Sequence, residues 1–226
     1  METKNIKRQF NSDVDIYDSG RRYFIPCFDD YYETGVNILS LIKNDYESIL
    51  DLGAGTGLLT KYLYEKFPTA QFTLVDIAEK MLDIAKVRFH GKNNFTYNVA
   101  DYSAEFPSGD FDLIASALSI HHLDEDEKRL LYSLIYDKLP KGGCFLNLDQ
   151  FNASSDIINE TFNKYWYDYI IHSGITKEEI DRWTSRKALD KESTVRDTIS
   201  MLKEIGFDQS ECVYQYLKFG VIVAVK

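Results

Sequence analysis

Residues 46–57 read YESILDLGAGTG, and this stretch decides the fold. An apolar run at 48–52 is followed by glycines at 53, 55 and 57. Glycine accepts positive φ without steric cost, so it allows a sharp turn and the close approach of a ligand to bare backbone. A strand that turns through such glycines into a helix is typical of the first unit of a Rossmann-like sheet.

Outward from this loop, short apolar runs alternate with amphipathic stretches, as in βαβ units around a mostly parallel sheet. The predicted strands are 48–52, 72–76, 95–99, 111–117 and 144–148, and the predicted helices between them are 58–67, 78–89 and 126–139. The last of these helices has Asp124 as its N-cap, with Glu127 as the capping-box partner.

The pattern changes after residue 148. Two aromatic-rich helices, at 155–173 and 177–187, are predicted as a lid or insertion, and a helix at 194–205 stops at Gly206. The last two strands, 211–217 and 219–225, must be antiparallel neighbours, because a parallel return needs a crossover of a dozen or more residues.

The composition indicates one domain. A chain of 226 residues with 44% hydrophobic residues is sufficient for a single core. We divide the domain into a helical cap (1–44), a cofactor-binding core (45–150), a helical lid or insertion (151–193) and a final helix with a strand pair (194–226). The net charge of -10 argues against nucleic acid as a partner.

The chain offers no signal for export. Its N-terminus has no apolar signal core and its longest apolar runs are too short to span a membrane, so no membrane association is expected. Cys27, Cys144 and Cys212 are widely spaced and odd in number, which predicts free thiols in a reducing cytoplasm.

Two carboxylates indicate the cofactor. Asp76 ends the second predicted strand, where an acid accepts both hydrogen bonds of a ribose diol. The loop reads GxGxG, whereas dinucleotide pyrophosphates are usually met by GxGxxG. Asp51 before the loop suits the ammonium of S-adenosylmethionine better than a pyrophosphate, although it could also hold the loop by accepting backbone N–H bonds.

Asp101 and Tyr102 follow the third strand in the run VADY. A carboxylate there could accept a hydrogen bond from the adenine amino group, with Tyr102 beside it. The alternative is that Asp101 caps a helix or turn. Its position relative to Asp51 and Asp76 favours adenine contact.

The segments DLGAGTG, LVDIAEKMLDIAK, VADY and FDLIASALSIHHL together resemble the successive motifs of class I S-adenosylmethionine-dependent methyltransferases, over residues 46–150. The resemblance implies an α/β, doubly wound sheet of seven strands, mostly parallel with an antiparallel last strand. It implies S-adenosyl-L-methionine as cofactor. Together with the residues argued above, the predicted cofactor contacts are Asp51, Gly53, Ala54, Gly55, Asp76, Ile77, Met81, Asp101, Tyr102 and Ala117.

Residues 6–32 also resemble the cap of a subset of small-molecule methyltransferases in this class. In that subset a Tyr of a YD pair and a following Arg lie over the cofactor, which implies Tyr17 and either Arg21 or Arg22, of which we take Arg22. An arginine can pair with the methionine carboxylate through two hydrogen bonds. The alternative is that the arginine pair is a solvated helix start.

Methyl transfer from a sulfonium needs an in-line arrangement and exclusion of water, and a general base only when the nucleophile is protonated. His121 and His122 follow the fourth strand and are the candidate bases. Packing or capping near Asp124 is the alternative for each. The pair also suggests a metal, but no further ligand has a recognisable spacing, so none is predicted.

Aromatic residues of the cap and the lid are candidates for the pocket of a small-molecule methyl acceptor, although such helical stripes are more often core faces. They are Phe28, Tyr31, Tyr165, Trp166 and Tyr169. Other possible functions are an RNA or protein methyltransferase, a non-catalytic cofactor-binding protein and a nicotinamide-dependent oxidoreductase. The acidic charge disfavours the first, and the loop spacing disfavours the last.

Overall fold

A computed structural model describes residues 20–226. Its strands are β1 (Ser48–Leu52), β2 (Gln71–Asp76), β3 (Phe95–Val99), β4 (Leu113–Ala117), β5 (Cys144–Gln150), β6 (Gln209–Tyr216) and β7 (Phe219–Val225). Its helices are α1 (Phe28–Ile42), α2 (Leu58–Lys66), α3 (Glu79–Arg88), α4 (Glu125–Lys138), α5 (Asp156–Ile171), α6 (Lys177–Lys187) and α7 (Val195–Ile205).

The seven strands form one sheet in the order β3-β2-β1-β4-β5-β7-β6. Strands β1 to β5 pair in parallel, and β7 is antiparallel to both of its neighbours, β5 and β6. The predicted fold class is therefore confirmed, including the antiparallel end of the sheet. The order reverses between β1 and β4, so a crevice is expected at the carboxyl ends of these strands.

The sheet is covered on both faces, because successive side chains of a strand point to opposite sides. Ile49, Leu74 and Leu146 pack in the core under α1, α2 and α3. Their sequence neighbours Leu50, Val75 and Phe145 pack with α4 and α7 on the other face. Continuous apolar strands are what a parallel sheet buried on both faces requires.

Helix boundaries follow the local signals. The capping box at Asp124 and Glu127 is confirmed, with the Glu127 amide donating to the Asp124 carboxylate at 2.9 Å. The fourth strand begins at Leu113 rather than at residue 111. The reason is Asp112, whose carboxylate accepts from the amides of Glu47 and Ser48 and so fixes the turn into the sheet.

Helix α1 belongs to the core of the sheet. Tyr31 and Tyr32 are fully buried, and a Cβ at Gly35 would lie 3.2 Å from side chains of Leu146 and Val221. This close approach lets α1 lie directly on β5 and β7. Over residues 20–226, no helix is both long and apolar enough to cross a membrane.

Candidate functional site

A cavity opens at the carboxyl ends of β1 to β4, and we call it the cofactor cavity. Together with the open solvent at its mouth, it comprises about 950 Å³. Many predicted residues line it together: Gly53, Gly55, Asp76, Ile77, Met81, Asp101, Tyr102 and His122.

The glycine loop is shaped for close approach on two sides. Gly53 has φ +68°, and a Cβ there would lie 2.0 Å from Ser119 Oγ. The segment that follows β4 therefore leaves no room for a side chain at position 53. Gly55 has φ +56°, and a Cβ there would meet nothing within 4 Å. Its bare backbone therefore faces open space in the cavity, as a bound ligand requires.

Asp76 holds the loop and faces the cavity. Its carboxylate accepts from the Gly55 amide and the Ala78 amide, each at 2.7 Å, which fixes its orientation. Burial raises the pKa of this carboxyl group. Each oxygen retains a second lone pair, so the carboxylate can still accept from a ligand's hydroxyl groups.

Asp51 lies beneath the loop, 1% exposed. Oδ2 accepts from the Thr60 hydroxyl at 2.5 Å, and burial raises the pKa of the carboxyl group to about 7. Oδ1 has no hydrogen-bond partner among the described residues. A buried acceptor without a donor is costly, so this atom fits a cationic or N–H donor supplied by a ligand.

Asp101 and Tyr102 form the far wall. Asp101 Oδ1 accepts from the amide and hydroxyl of Ser103, so this residue caps a turn as well as lining the cavity. The Tyr102 hydroxyl lies 2.7 Å from Ser119 Oγ. Ser119 and Leu118, which has an unusual φ of +53°, line the cavity where the sequence had suggested Ala117.

The arginine at the cavity is Arg21, and Arg22 points elsewhere. Arg22 pairs with Asp29 at 2.6 Å and lies over the Phe28 ring, and its side chain is 58% exposed. Arg21 lines the cavity and donates to the Tyr32 hydroxyl at 3.3 Å. Two further predicted cofactor contacts, Asp51 and Ala54, lie behind the lining of the cofactor cavity. The predicted contact Tyr17 is outside the described residues.

A second cavity adjoins the first, and we call it the acceptor cavity. It encloses about 820 Å³ of space, again including open solvent, and it shares Arg21, Leu118 and His122 with the cofactor cavity. Of the predicted pocket aromatics only Trp166 lines it.

The other four predicted aromatics lie elsewhere. Phe28 and Tyr31 are buried under the sheet, where Tyr31 packs on Phe219 at 5.8 Å. Tyr165 bonds to the Tyr216 hydroxyl, and Tyr169 donates to the Arg22 carbonyl. These contacts give the four side chains packing roles on α1 and the surface of α5.

His121 is buried between two carboxylates. Its Nδ1 lies 2.5 Å from Asp149 Oδ1 and its Nε2 lies 3.5 Å from Asp190 Oδ1. Burial opposes the charge, but these two carboxylates prevail and raise the pKa of His121 to about 10. The ring is therefore an imidazolium that joins β5 to the segment after α6.

His122 differs from its neighbour. Burial and the adjacent positive charge of His121 lower the pKa of His122, so its ring is neutral at neutral pH. It lines both cavities. Neutral imidazole at the junction of two cavities can accept a proton there.

The segment 189–193, which we call the strap, belongs to the range predicted as a lid, but its contacts with the site were not predicted. The Lys191 amide donates to the His121 carbonyl at 2.7 Å, and Glu192 pairs with the buried Lys218 at 2.5 Å. Leu189 and Lys191 line the cofactor cavity, while Asp190 lines the acceptor cavity. No apolar period marks this segment in the sequence.

Asp190 is a third potential metal ligand beside His121 and His122, and its position could not be recognised from sequence spacing. Ligand atoms of His121, His122 and Asp190 lie within 4.8 Å of one another. The sequence predicted no metal, and the absence of a metal stays a prediction.

Residues 49–143 match the family described as "Methyltransferase domain". A carboxy-S-adenosyl-L-methionine synthase from Nautilia profundicola is 25% identical over 99% of this chain and 97% of its own length. A phosphoethanolamine N-methyltransferase from Plasmodium falciparum is 28% identical over 73% of this chain and 65% of its own. Among solved structures, the DhpI complex with SAH has a TM-score of 0.69 at 14% identity and covers 98% of this chain and 95% of that one.

Proposed function

Because this chain belongs to the class I S-adenosylmethionine-dependent methyltransferases, enzymes that use this cofactor, we propose that it transfers a methyl group in line to a small-molecule acceptor. One observation carries the proposal: two cavities adjoin at His122, Leu118 and Arg21. A cofactor in the first would present its methyl group to an acceptor in the second.

The cofactor supplies an electrophilic methyl group on its sulfonium, and the chain's residues hold the reactants. In our proposal Asp76 accepts from the ribose hydroxyls and Asp51 Oδ1 from the methionine ammonium, while Arg21 pairs with the methionine carboxylate. Ile77 and Met81 pack on the adenine, and Asp101 with Tyr102 reads its edge. The assignments other than that of Asp51 rest on the lining of the cavity. Asp51 lies behind this lining, and its assignment rests on its buried oxygen without a donor.

His122 is the proposed general base for an acceptor whose nucleophilic atom is protonated. Its ring borders both cavities, where the methyl group and the acceptor would meet, and its Nδ1 lies 3.4 Å from Asp190 Oδ1. His121 is removed from this role by its protonation between Asp149 and Asp190. Residues of the strap line both cavities, and in our proposal they help to keep water from the transferred group.

The proposal is tested by incubating the protein and a labelled methyl donor with a metabolite extract. We expect a labelled small molecule together with S-adenosylhomocysteine. Calorimetric titration should show binding of S-adenosylmethionine and S-adenosylhomocysteine but not NAD. Label found only in RNA or protein would refute the acceptor class, and binding of NAD alone would refute the cofactor assignment.

Replacing His122 with alanine should lower turnover by about 10²- to 10⁴-fold, the usual contribution of general-base catalysis. Because the pKa of His122 is lowered, the wild-type rate should rise with pH below about 6.5 and be flat above it. Rates measured from pH 5 to 9 check both points. The matched control is His90→Ala, an exposed histidine, which should leave the rate unchanged.

A second candidate is conversion of the cofactor itself, as the name of the carboxy-S-adenosyl-L-methionine synthases indicates. It is favoured by their alignment over nearly the whole of both chains. Mass spectrometry of the spent cofactor distinguishes the two reactions. Methyl transfer leaves S-adenosylhomocysteine. In the second candidate the methyl carbon loses a proton and receives a carboxyl group from a carboxylate co-substrate, which leaves a carboxylated S-adenosylmethionine.

A further inference from the structure

We propose that Asp190 of the strap is a positioning residue, which holds the Nδ1–H tautomer of His122 and so leaves the lone pair of Nε2 to accept a proton from the acceptor. This inference rests on the proposed function, because His122 is the base proposed there. Two observations carry it: one carboxylate oxygen lies between two histidine rings, and the strap that bears this carboxylate is anchored to three neighbouring elements.

A single oxygen of Asp190 faces both histidine rings. Asp190 Oδ1 lies 3.5 Å from His121 Nε2 and 3.4 Å from His122 Nδ1, and the centroids of the two rings are 4.1 Å apart. Burial opposes the charge of Asp190, but the two histidines lower its pKa, so its carboxyl group is ionised. An ionised carboxylate has only acceptor sites, and each ring therefore satisfies it best by presenting an N–H.

This oxygen decides between the two tautomers of His122. Burial and the neighbouring imidazolium lower the pKa of His122, so its neutral ring carries one N–H. A lone pair on Nδ1 would be repelled by the oxygen 3.4 Å away, whereas an N–H there is attracted to it. The proton is therefore on Nδ1 and the lone pair on Nε2. Because the ring lines both cavities, we assign this lone pair to the acceptor.

The strap fixes the position of Asp190 before a ligand binds. The Asp190 amide donates to the carbonyl of Lys187 at the end of α6, and the next amide, of Lys191, donates to the His121 carbonyl after β4. Lys128 of α4, which is 3% exposed, donates from Nζ to the Lys191 carbonyl. Three elements thus hold the backbone around the carboxylate, as preorganisation of a base requires.

The same carboxylate also stabilises the protonated base. In the proposed transfer the proton of an O–H or N–H passes to His122 Nε2, while the electron pair of the nucleophile forms the bond to the methyl carbon. The carbon–sulfur bond breaks, and its electron pair stays on the sulfur of S-adenosylhomocysteine. His122 then becomes a second imidazolium beside His121, and the negative charge of Asp190 offsets the added positive charge.

Nuclear magnetic resonance of the protein labelled with ¹⁵N-histidine tests the tautomer without an acceptor. The protein is treated with EDTA and loaded with S-adenosylhomocysteine at pH 7, and long-range ¹H–¹⁵N spectra distinguish protonated from unprotonated ring nitrogens. The signals of His122 are identified by their loss in His122→Ala. We expect Nδ1 of His122 to be protonated and Nε2 to be unprotonated, and we expect both nitrogens of His121 to be protonated.

Asp190→Leu keeps a side chain of similar shape and removes the acceptor. In this variant His122 should change to a majority of the Nε2–H form, the tautomer that a histidine side chain prefers in water. The matched control is Asp181→Leu, which replaces an exposed acid on α6 and should leave the tautomer of His122 unchanged. Calorimetry with S-adenosylhomocysteine shows whether each variant retains a folded cofactor cavity.

The inference is overturned if Nε2 of His122 bears the proton in the wild type, or if both of its nitrogens are protonated at pH 7. It is also overturned if Asp190→Leu binds S-adenosylhomocysteine and keeps the Nδ1–H form. Should Asp190→Leu not fold, the wild-type spectrum decides alone. Failure of the wild type to bind S-adenosylhomocysteine would instead contradict the proposed function.

Discussion

Replacement of Asp76 with alanine is expected to weaken the binding of S-adenosylmethionine by about 100-fold or more. The carboxylate accepts from the amides of Gly55 and Ala78, so its removal frees the glycine loop. In our proposal it also removes the acceptor for the ribose hydroxyls. Each hydrogen bond to a charged group contributes roughly 1.5–3 kcal/mol, and two of them account for the expected loss.

Calorimetric titration with S-adenosylhomocysteine measures this loss without dependence on the acceptor. Asp83→Ala is the matched control, since Asp83 is an exposed acid on α3 that pairs with Lys86 at 2.9 Å. The variant Asp76→Asn should give an intermediate affinity, because an amide oxygen can accept from one backbone N–H but its NH₂ group cannot. An affinity of Asp76→Ala equal to that of the wild type would exclude the ribose assignment.

Replacement of His121 with alanine should lower the free energy of unfolding by about 3–5 kcal/mol, the usual effect of breaking a buried ion pair. The imidazolium lies between the side chains of Asp149 and Asp190, which are 3% and 7% exposed. Without it, two buried carboxylates face each other with no cation between them. Urea unfolding at pH 7 measures the loss.

The difference in the free energy of unfolding between the wild type and His121→Ala should decrease as the pH rises. The pKa of His121 is raised from its ordinary 6.5 to about 10, because burial is outweighed by the two carboxylates. Its stabilising contribution is therefore complete below about pH 6.5 and is lost as the pH rises through about 10. This difference in unfolding free energy should become smaller between pH 7 and pH 10. His122→Ala, which removes a neutral ring, should lower the free energy of unfolding by less than His121→Ala does at every pH. A difference in unfolding free energy that increases with pH would contradict the assignment of His121 as an imidazolium.

Local signals account for the parts of the site that the sequence predicted. The glycine loop and Asp76 lie where strands end, and the geometry of a parallel sheet brings strand ends together. The same reasoning placed Asp101, Tyr102 and His122 at this edge of the sheet, and all three line the cavity in the structure. Each of these positions depends on one strand and the few residues after it.

Contacts between distant segments account for what the sequence did not predict. Arg21 and Arg22 are adjacent on one helical segment, and only tertiary packing decides which of them faces the cavity. On α5 the buried pair is Trp166 and Ile170, one turn apart, while Tyr165 is half exposed. The strap depends on Lys218 and His121, which no periodic pattern connects to residues 189–193.

The position of α1 has a consequence for the order of folding. Its aromatic face packs on β7, which follows it far along the chain, and Tyr31 contacts Phe219 there. During translation these aromatic side chains are made early and remain uncovered until the C-terminal hairpin forms. Contacts between such distant residues slow folding and prolong the exposure of apolar surface. The nascent chain should therefore require protection from aggregation until β7 has left the ribosome.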